Sequence, residues 1–66
     1  MIDFSVVVLT FNSQEYIERC LNSLIDVFDE MANTYEIFVI DNGSSDDSPN
    51  LIKNVRMTRR ANIKLT

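Results

Sequence analysis

Apolar and polar positions follow two different periods along the chain. Phe4-Ser5-Val6-Val7-Val8-Leu9 is a short, β-branched run of the kind that forms a strand buried on both faces. From Tyr16 the period changes. Tyr16, Ile17, Cys20, Leu21, Leu24, Ile25, Phe28 and Met31 recur at helical spacing, with Glu18, Arg19, Asn22, Asp26, Asp29 and Glu30 mostly opposite. This pattern predicts an amphipathic helix lying on a sheet. Cys20 falls inside the stripe and reads as a small core residue rather than a reactive thiol, and Tyr16 reads as core beside it. Asn12, with Glu15 three residues on, fits a capping box at the helix start.

Asn33 and Thr34 interrupt the stripe before Tyr35-Glu36-Ile37-Phe38-Val39-Ile40, a second strand of buried character. A strand, a helix and a strand joined by a crossover of this length imply a parallel pair with a right-handed connection. Ser48 and Pro49 read as the N-cap and first residue of a second helix through Leu51, Ile52 and Val55. Asn62 to Thr66 alternates weakly, with Ile63 and Leu65 on one side, and predicts a third strand. The fold class is α/β, a partial open parallel sheet in β-α-β-α-β order. Residues 1–66 form one partial domain without repeats or a separating linker.

Length bears on stability. A chain of 66 residues buries only about 60% of its unfolded surface, and small domains usually carry a staple. One cysteine and no histidine leave neither an internal disulfide nor a Cys/His metal set. The 45% hydrophobic content still predicts a core-forming protein, so a partner copy or further chain is expected to complete it. No stretch approaches the roughly 20 apolar residues of a membrane span, and Met1-Ile2-Asp3 lacks the basic start of a signal peptide. A cytoplasmic setting is expected, with membrane association of a full-length enzyme left open. Charge is divided: residues 1–48 hold ten acids and only Arg19 as a base, net −9, while residues 49–66 hold five bases and no acid, net +5. A solvated helix face and tail explain this more simply than an anion-binding surface.

In open α/β sheets ligands bind beyond the carboxyl ends of the strands. The loops there are Thr10-Phe11-Asn12 and Asp41 to Asp47. The first has no glycine, which excludes a dinucleotide fingerprint, and Gly-Lys-Ser/Thr is absent, which excludes a P-loop. What remains is an aromatic, Phe11, near a hydroxyl and amides, facing Asp41 and Asn42. A flat base can stack on the ring while a side-chain oxygen accepts its ring N–H. The structural reading is equally open at this point: Asp41, Asn42, Ser44 and Asp46 can form Asx-turns and cap the next helix, Gly43 can supply a positive φ, and Phe11 can staple the helix start.

The segments SVVVLTFNSQEYIERCLNSL and EIFVIDNGSSDDS resemble the amino-terminal part of the family-two glycosyltransferases of GT-A fold. That family opens on a Ser-Val-Val-Ile-Pro-Thr-Tyr-Asn pattern, then Glu-x-Leu-x-x-Cys-Leu-x-Ser-Leu, then Val-Asp-Asp/Asn-Gly-Ser-Thr-Asp-Gly-Ser. The likeness covers residues 4 to about 52. It implies that Thr10 and Phe11 contact a nucleotide base, that Asp41 is the first acid after the second strand, and that Asn42 meets the ring N–H of a pyrimidine. The candidate nucleotide-binding residues are Thr10, Phe11, Asn12, Asp41, Asn42 and Gly43. Leu9 stands for the family's proline, Phe11 for its tyrosine, Asn42 for the aspartate of many members and Asp47 for a glycine. The Asp-Asn-Gly-Ser form resembles rhamnosyltransferase-like members that use uridine- or thymidine-diphosphate sugars.

The resemblance implies an inverting transferase that moves a sugar to a glycan or lipid-linked acceptor, as in polysaccharide biosynthesis. It also implies a divalent metal, Mg or Mn, held by a later Asp-x-Asp. The adjacent Asp46-Asp47 pair lacks that alternation, and neither metal ligands nor a catalytic base is assigned in this chain. Because the family's catalytic domain is several times longer, the 66 residues are expected to be its first quarter or third and inactive by themselves. Strand one, residues 4 to 9, is expected to have an open edge that pairs a homo-oligomer, with exchange of the last strand as a second route. The alternative function is a small α/β oligomerising interaction module without catalysis. No nucleic-acid partner is expected. Everything rests on the two loops forming a cleft able to hold a flat heterocycle.

Overall fold

A computed structural model describes residues 1–66. The chain forms β1 (Phe4–Thr10), α1 (Ile17–Glu30), β2 (Tyr35–Asp41), α2 (Ser48–Arg59) and β3 (Ile63–Leu65). The three strands make one sheet in the order β1-β2-β3. Both pairs are parallel, with Phe4 opposite Tyr35, Thr10 opposite Asp41, and Ile37 opposite Ile63. The predicted α/β class, element order and third strand are all present.

Both helices cover the same face. Leu21 and Ile25 of α1, Ile37 and Val39 of β2, Ile52 and Val55 of α2, and Ile63 of β3 belong to one buried cluster, and the strand residues among them share one side of the pleat. Two successive right-handed crossovers stepping the same way across a sheet must lie on one side of it. Arg59 of α2 joins the helices, donating to Asn22 Oδ1 at 2.9 Å and pairing with Asp26 at 2.6 Å. No helix is long and apolar enough to cross a membrane.

That placement corrects the expectation of strands buried on both faces. Val6 and Val8 are half-buried against the helices, whereas Val7 and Leu9 are 61% and 68% exposed. On the uncovered face, Ser5 donates to Glu36 Oε1 at 2.6 Å, Lys64 lies 3.7 Å from Glu36, and the Lys64 ammonium sits 5.2 Å from the Phe38 ring centroid. Polar groups thus cover one end of that face and leave its β1 side apolar.

The helical stripe is wider than the surface that receives it. Ile17, Leu21, Ile25 and Phe28 are buried, but Tyr16, Cys20 and Met31 are exposed. The reading of Cys20 and Tyr16 as core is therefore corrected: their flank of α1 faces away from α2, on the side of β1 where no further element lies. The capping box is also absent. Tyr16 and Ile17 amides both donate to Ser13 O at 2.9 Å, α1 begins four residues later than Ser13, and Asn12 turns its side chain elsewhere. At α2 the start shifts by one residue: Asp47 precedes the helix, with Ser48 and Pro49 in its first turn.

Candidate functional site

The loops after β1 and β2 meet at one end of the sheet, because the strands are parallel and in register to their last residues. Asn42 N–H donates to Thr10 O at 2.9 Å, continuing the ladder one step beyond β2. Asn12 then crosses to the other loop. Its N–H donates to Ser44 Oγ at 2.8 Å, and its Oδ1 accepts from the Ser45 and Asp46 amides at 2.9 and 3.4 Å. Its φ of 47° is the left-handed conformation that asparagine tolerates better than most residues. The residue expected to cap α1 instead fastens the two loops together.

The rest of the joint is made of short polar side chains. Ser13 N–H donates to the fully buried Ser48 Oγ at 2.9 Å, Gln14 N–H donates to Asp46 Oδ2 at 3.1 Å, and Asp47 N–H donates to Gln14 Oε1 at 3.0 Å. Asp46 Oδ1 accepts from Ser48 N–H at 3.0 Å. Partial desolvation pushes the Asp46 carboxyl up, but the hydrogen bonds from Ser48 and the Gln14 amide outweigh it and hold the group below the usual carboxylate range. Gln14, Ser44, Asp46 and Ser48 were not singled out as candidate ligand contacts. Their signal in the sequence was the density of Ser and Asp in two loops facing each other.

All six candidate residues lie at this end, but in different states. Thr10 is 4% exposed and its Oγ1 is buried without a hydrogen-bond partner. Phe11 is 59% exposed, so it does not staple the helix start. Asp41 is engaged by its own loop, accepting from Ser44 N–H at 3.0 Å and from the Ser44 hydroxyl. Asn42 is exposed, with its backbone tied and its side chain unengaged within the chain. Gly43 has φ 78°, and a Cβ built there would meet nothing within 4 Å, so glycine is needed for the turn and the space above it is open. Asp47, where the resembled family has glycine, has φ −86°, a conformation open to any residue.

The expected cleft is an open shelf. The molecule contains no enclosed pocket, because the loops fill the space between them with their own hydrogen bonds. Asp41 and Asp46 are held in the joint by amides of their own and the opposite loop, while Phe11, Asn42 and Gly43 beside them are exposed. A divalent cation does not fit these residues. No three acids converge, both Asp46 oxygens hold amides, and both Asp41 oxygens hold Ser44.

A family model described as glycosyl transferase family 2 matches residues 5–65. No curated protein matches the chain.

Proposed function

From the premise that the chain belongs to glycosyl transferase family 2, we propose that residues 1–66 are the nucleotide-binding part of a GT-A domain whose donor is a uridine- or thymidine-diphosphate sugar. The observation that carries this reading is the union of the two strand-tip loops through Asn12, which leaves a partnerless buried hydroxyl on Thr10 and an exposed Phe11 and Asn42 at the same end of the sheet. Phe11 stacks the pyrimidine, Asn42 Oδ1 accepts its ring N–H, and Gly43 leaves room for the ribose or phosphate to approach. Phenylalanine retains stacking but lacks a phenol hydrogen bond, so affinity from this shelf is modest.

In the parent enzyme the acceptor hydroxyl attacks the anomeric carbon from the face opposite the leaving diphosphate, which inverts the configuration. The acceptor's proton passes to a carboxylate that these residues do not include. A divalent cation would offset charge on the diphosphate, and its ligands likewise belong outside this chain. The contribution of residues 1–66 is to bind and orient the base. The acceptor is a glycan or a lipid-linked sugar. The loops' mutual satisfaction favours a second reading, an α/β interaction module with no ligand on the shelf.

Titration with uridine diphosphate and thymidine diphosphate, followed by amide chemical shifts, separates the two. Changes confined to Phe11, Asn42 and Gly43 at millimolar nucleotide are expected. Unmoved loop amides, or changes centred on the basic residues Lys53, Arg56 and Arg60, would remove the nucleotide assignment.

A further inference from the structure

Phe11 projects from a backbone that the second loop holds on both sides. The ring is 59% exposed and belongs neither to the buried cluster nor to the stack of Phe4, Phe28 and Tyr35, so packing does not aim it. The two peptide planes that flank its Cα do. Thr10 O, in the plane before Phe11, accepts from Asn42 N–H at 2.9 Å. Asn12 N–H, in the plane after it, donates to Ser44 Oγ at 2.8 Å. Because each peptide is planar and only φ and ψ lie between them, fixing both planes fixes the direction in which the Phe11 side chain leaves the chain.

The second of these bonds has a defined polarity. A backbone N–H can only donate and a carboxylate can only accept, whereas a hydroxyl has one hydrogen to give and lone pairs to receive with. Ser44 Oγ stands between the Asn12 amide and Asp41 Oδ1, so its hydrogen must turn to Asp41 and a lone pair to Asn12. Asp41 Oδ2 takes the Ser44 N–H as well, at 3.0 Å, and the left-handed turn at Gly43, φ 78°, brings Ser44 back to that carboxylate. Held through both its main chain and its hydroxyl, Ser44 is confined to one side-chain orientation. Donation to the carboxylate also strengthens its oxygen as the acceptor for Asn12. Apart from threonine, no side chain so short fills both roles well.

We propose that Ser44 is a positioning residue for the Phe11 ring, and that Asp41 serves the site by orienting Ser44. What the ring then meets rests on the nucleotide reading above; how the ring is held does not. An aromatic platform whose backbone is fixed before a flat base arrives spares the complex part of the cost of ordering it. Every partner in this relay lies between Thr10 and Ser44, so the hold on Phe11 is independent of whatever covers the rest of the sheet.

Nuclear magnetic resonance of the nucleotide-free chain tests the relay, and titration with uridine diphosphate then tests the use of the ring. In the wild type the Asn12 amide is expected to be protected from exchange and the Phe11 backbone to be as rigid as a strand, with an order parameter of about 0.85. Ser44→Ala is expected to cut Asn12 protection about tenfold, as for the loss of one hydrogen bond. It is also expected to lower the Phe11 order parameter below about 0.6, with the Ile37 and Val39 amide shifts unchanged. Ser44→Thr keeps the hydroxyl and is expected to hold both readings at wild-type values, as is Ser45→Ala, which removes only the neighbouring hydroxyl. Should the alanine variant fail to fold, Ser44→Cys, with its weak donor and acceptor, decides by the same readings. Uridine diphosphate is expected to bind the alanine variant about fivefold more weakly than the threonine variant. A Phe11 backbone that is mobile in the wild type, or equally rigid without the Ser44 hydroxyl, overturns the positioning role, and so does loosening that threonine fails to restore. A rigid Phe11 that depends on Ser44 in a wild type that binds no uridine diphosphate would support the positioning role and remove the nucleotide reading alone.

Discussion

Thr10 and Asp46 illustrate how single residues in the joint do different work. The buried Thr10 hydroxyl has no partner, and an unsatisfied buried polar group costs about 1–3 kcal/mol. Thr10→Val, which replaces that hydroxyl by a methyl group of similar size, is expected to raise stability by about 1 kcal/mol, read from the urea midpoint. A loss of similar size would show that the hydroxyl is satisfied in solution. Asp46 is engaged in the opposite sense. Its folded carboxyl lies below the unfolded value of about 3.9, so its contribution is present above that pH and is lost as pH falls through the folded value. Wild type is expected to exceed Asp46→Asn in stability at pH 6, with the gap closing below about pH 4; a gap unchanged by acid would contradict this. The candidate residues were legible in the sequence as chemistry, but their partners were not. Asn12 looks the same whether its oxygen caps the helix beside it or an amide 33 residues away, because the choice depends on which loop lies opposite.

At the scale of elements, period and punctuation identify all five segments, and the errors fall at their ends. Each helix terminates in the same way. Ala32 N–H donates to Asp29 O at 3.1 Å and Asn33 N–H to Phe28 O at 3.0 Å, while after α2 the Arg60 N–H reaches Met57 O at 3.4 Å and the Ala61 N–H reaches Arg56 O at 3.1 Å. This is the double-bonded cap that usually places glycine in the left-handed position. Here Ala32 and Arg60 hold it at φ 55° and 50°. Because the chain's one glycine serves the β2-α2 turn, neither terminus carries the expected signal, and the α1 boundary was readable only from the loss of the stripe. Ala32→Gly relieves the left-handed strain at an exposed site. It is expected to stabilise the fold by about 0.5–1 kcal/mol, measured by thermal or urea denaturation. No gain would mean that added freedom in the unfolded chain offsets the relief.

In the whole molecule, a core of ten buried hydrophobic residues supports a sheet covered on one side, and chains of this length rarely hold more than about 3–5 kcal/mol. The meeting of the two loops follows from the topology: parallel strands put both carboxyl ends, and hence both loops, at the same end. The sequence by itself determined the class and the parallel pairing, because short apolar runs alternating with a 3.6-residue stripe imply strands joined by right-handed crossovers. The order β1-β2-β3 belongs to the tertiary structure, since a third strand beside β1 would be equally right-handed. The sequence also supplied the types of residue at the strand tips. Only the tertiary structure decided which apolar positions are covered. Periodicity reports that Val7, Leu9, Tyr16 and Cys20 could be buried, but burial requires a neighbour, and two helices on one face of three strands provide none for the outer side of β1. Likewise, whether a side chain in the polar loops binds its own turn or the opposite loop is fixed by distance between segments far apart in the chain, which no local pattern records.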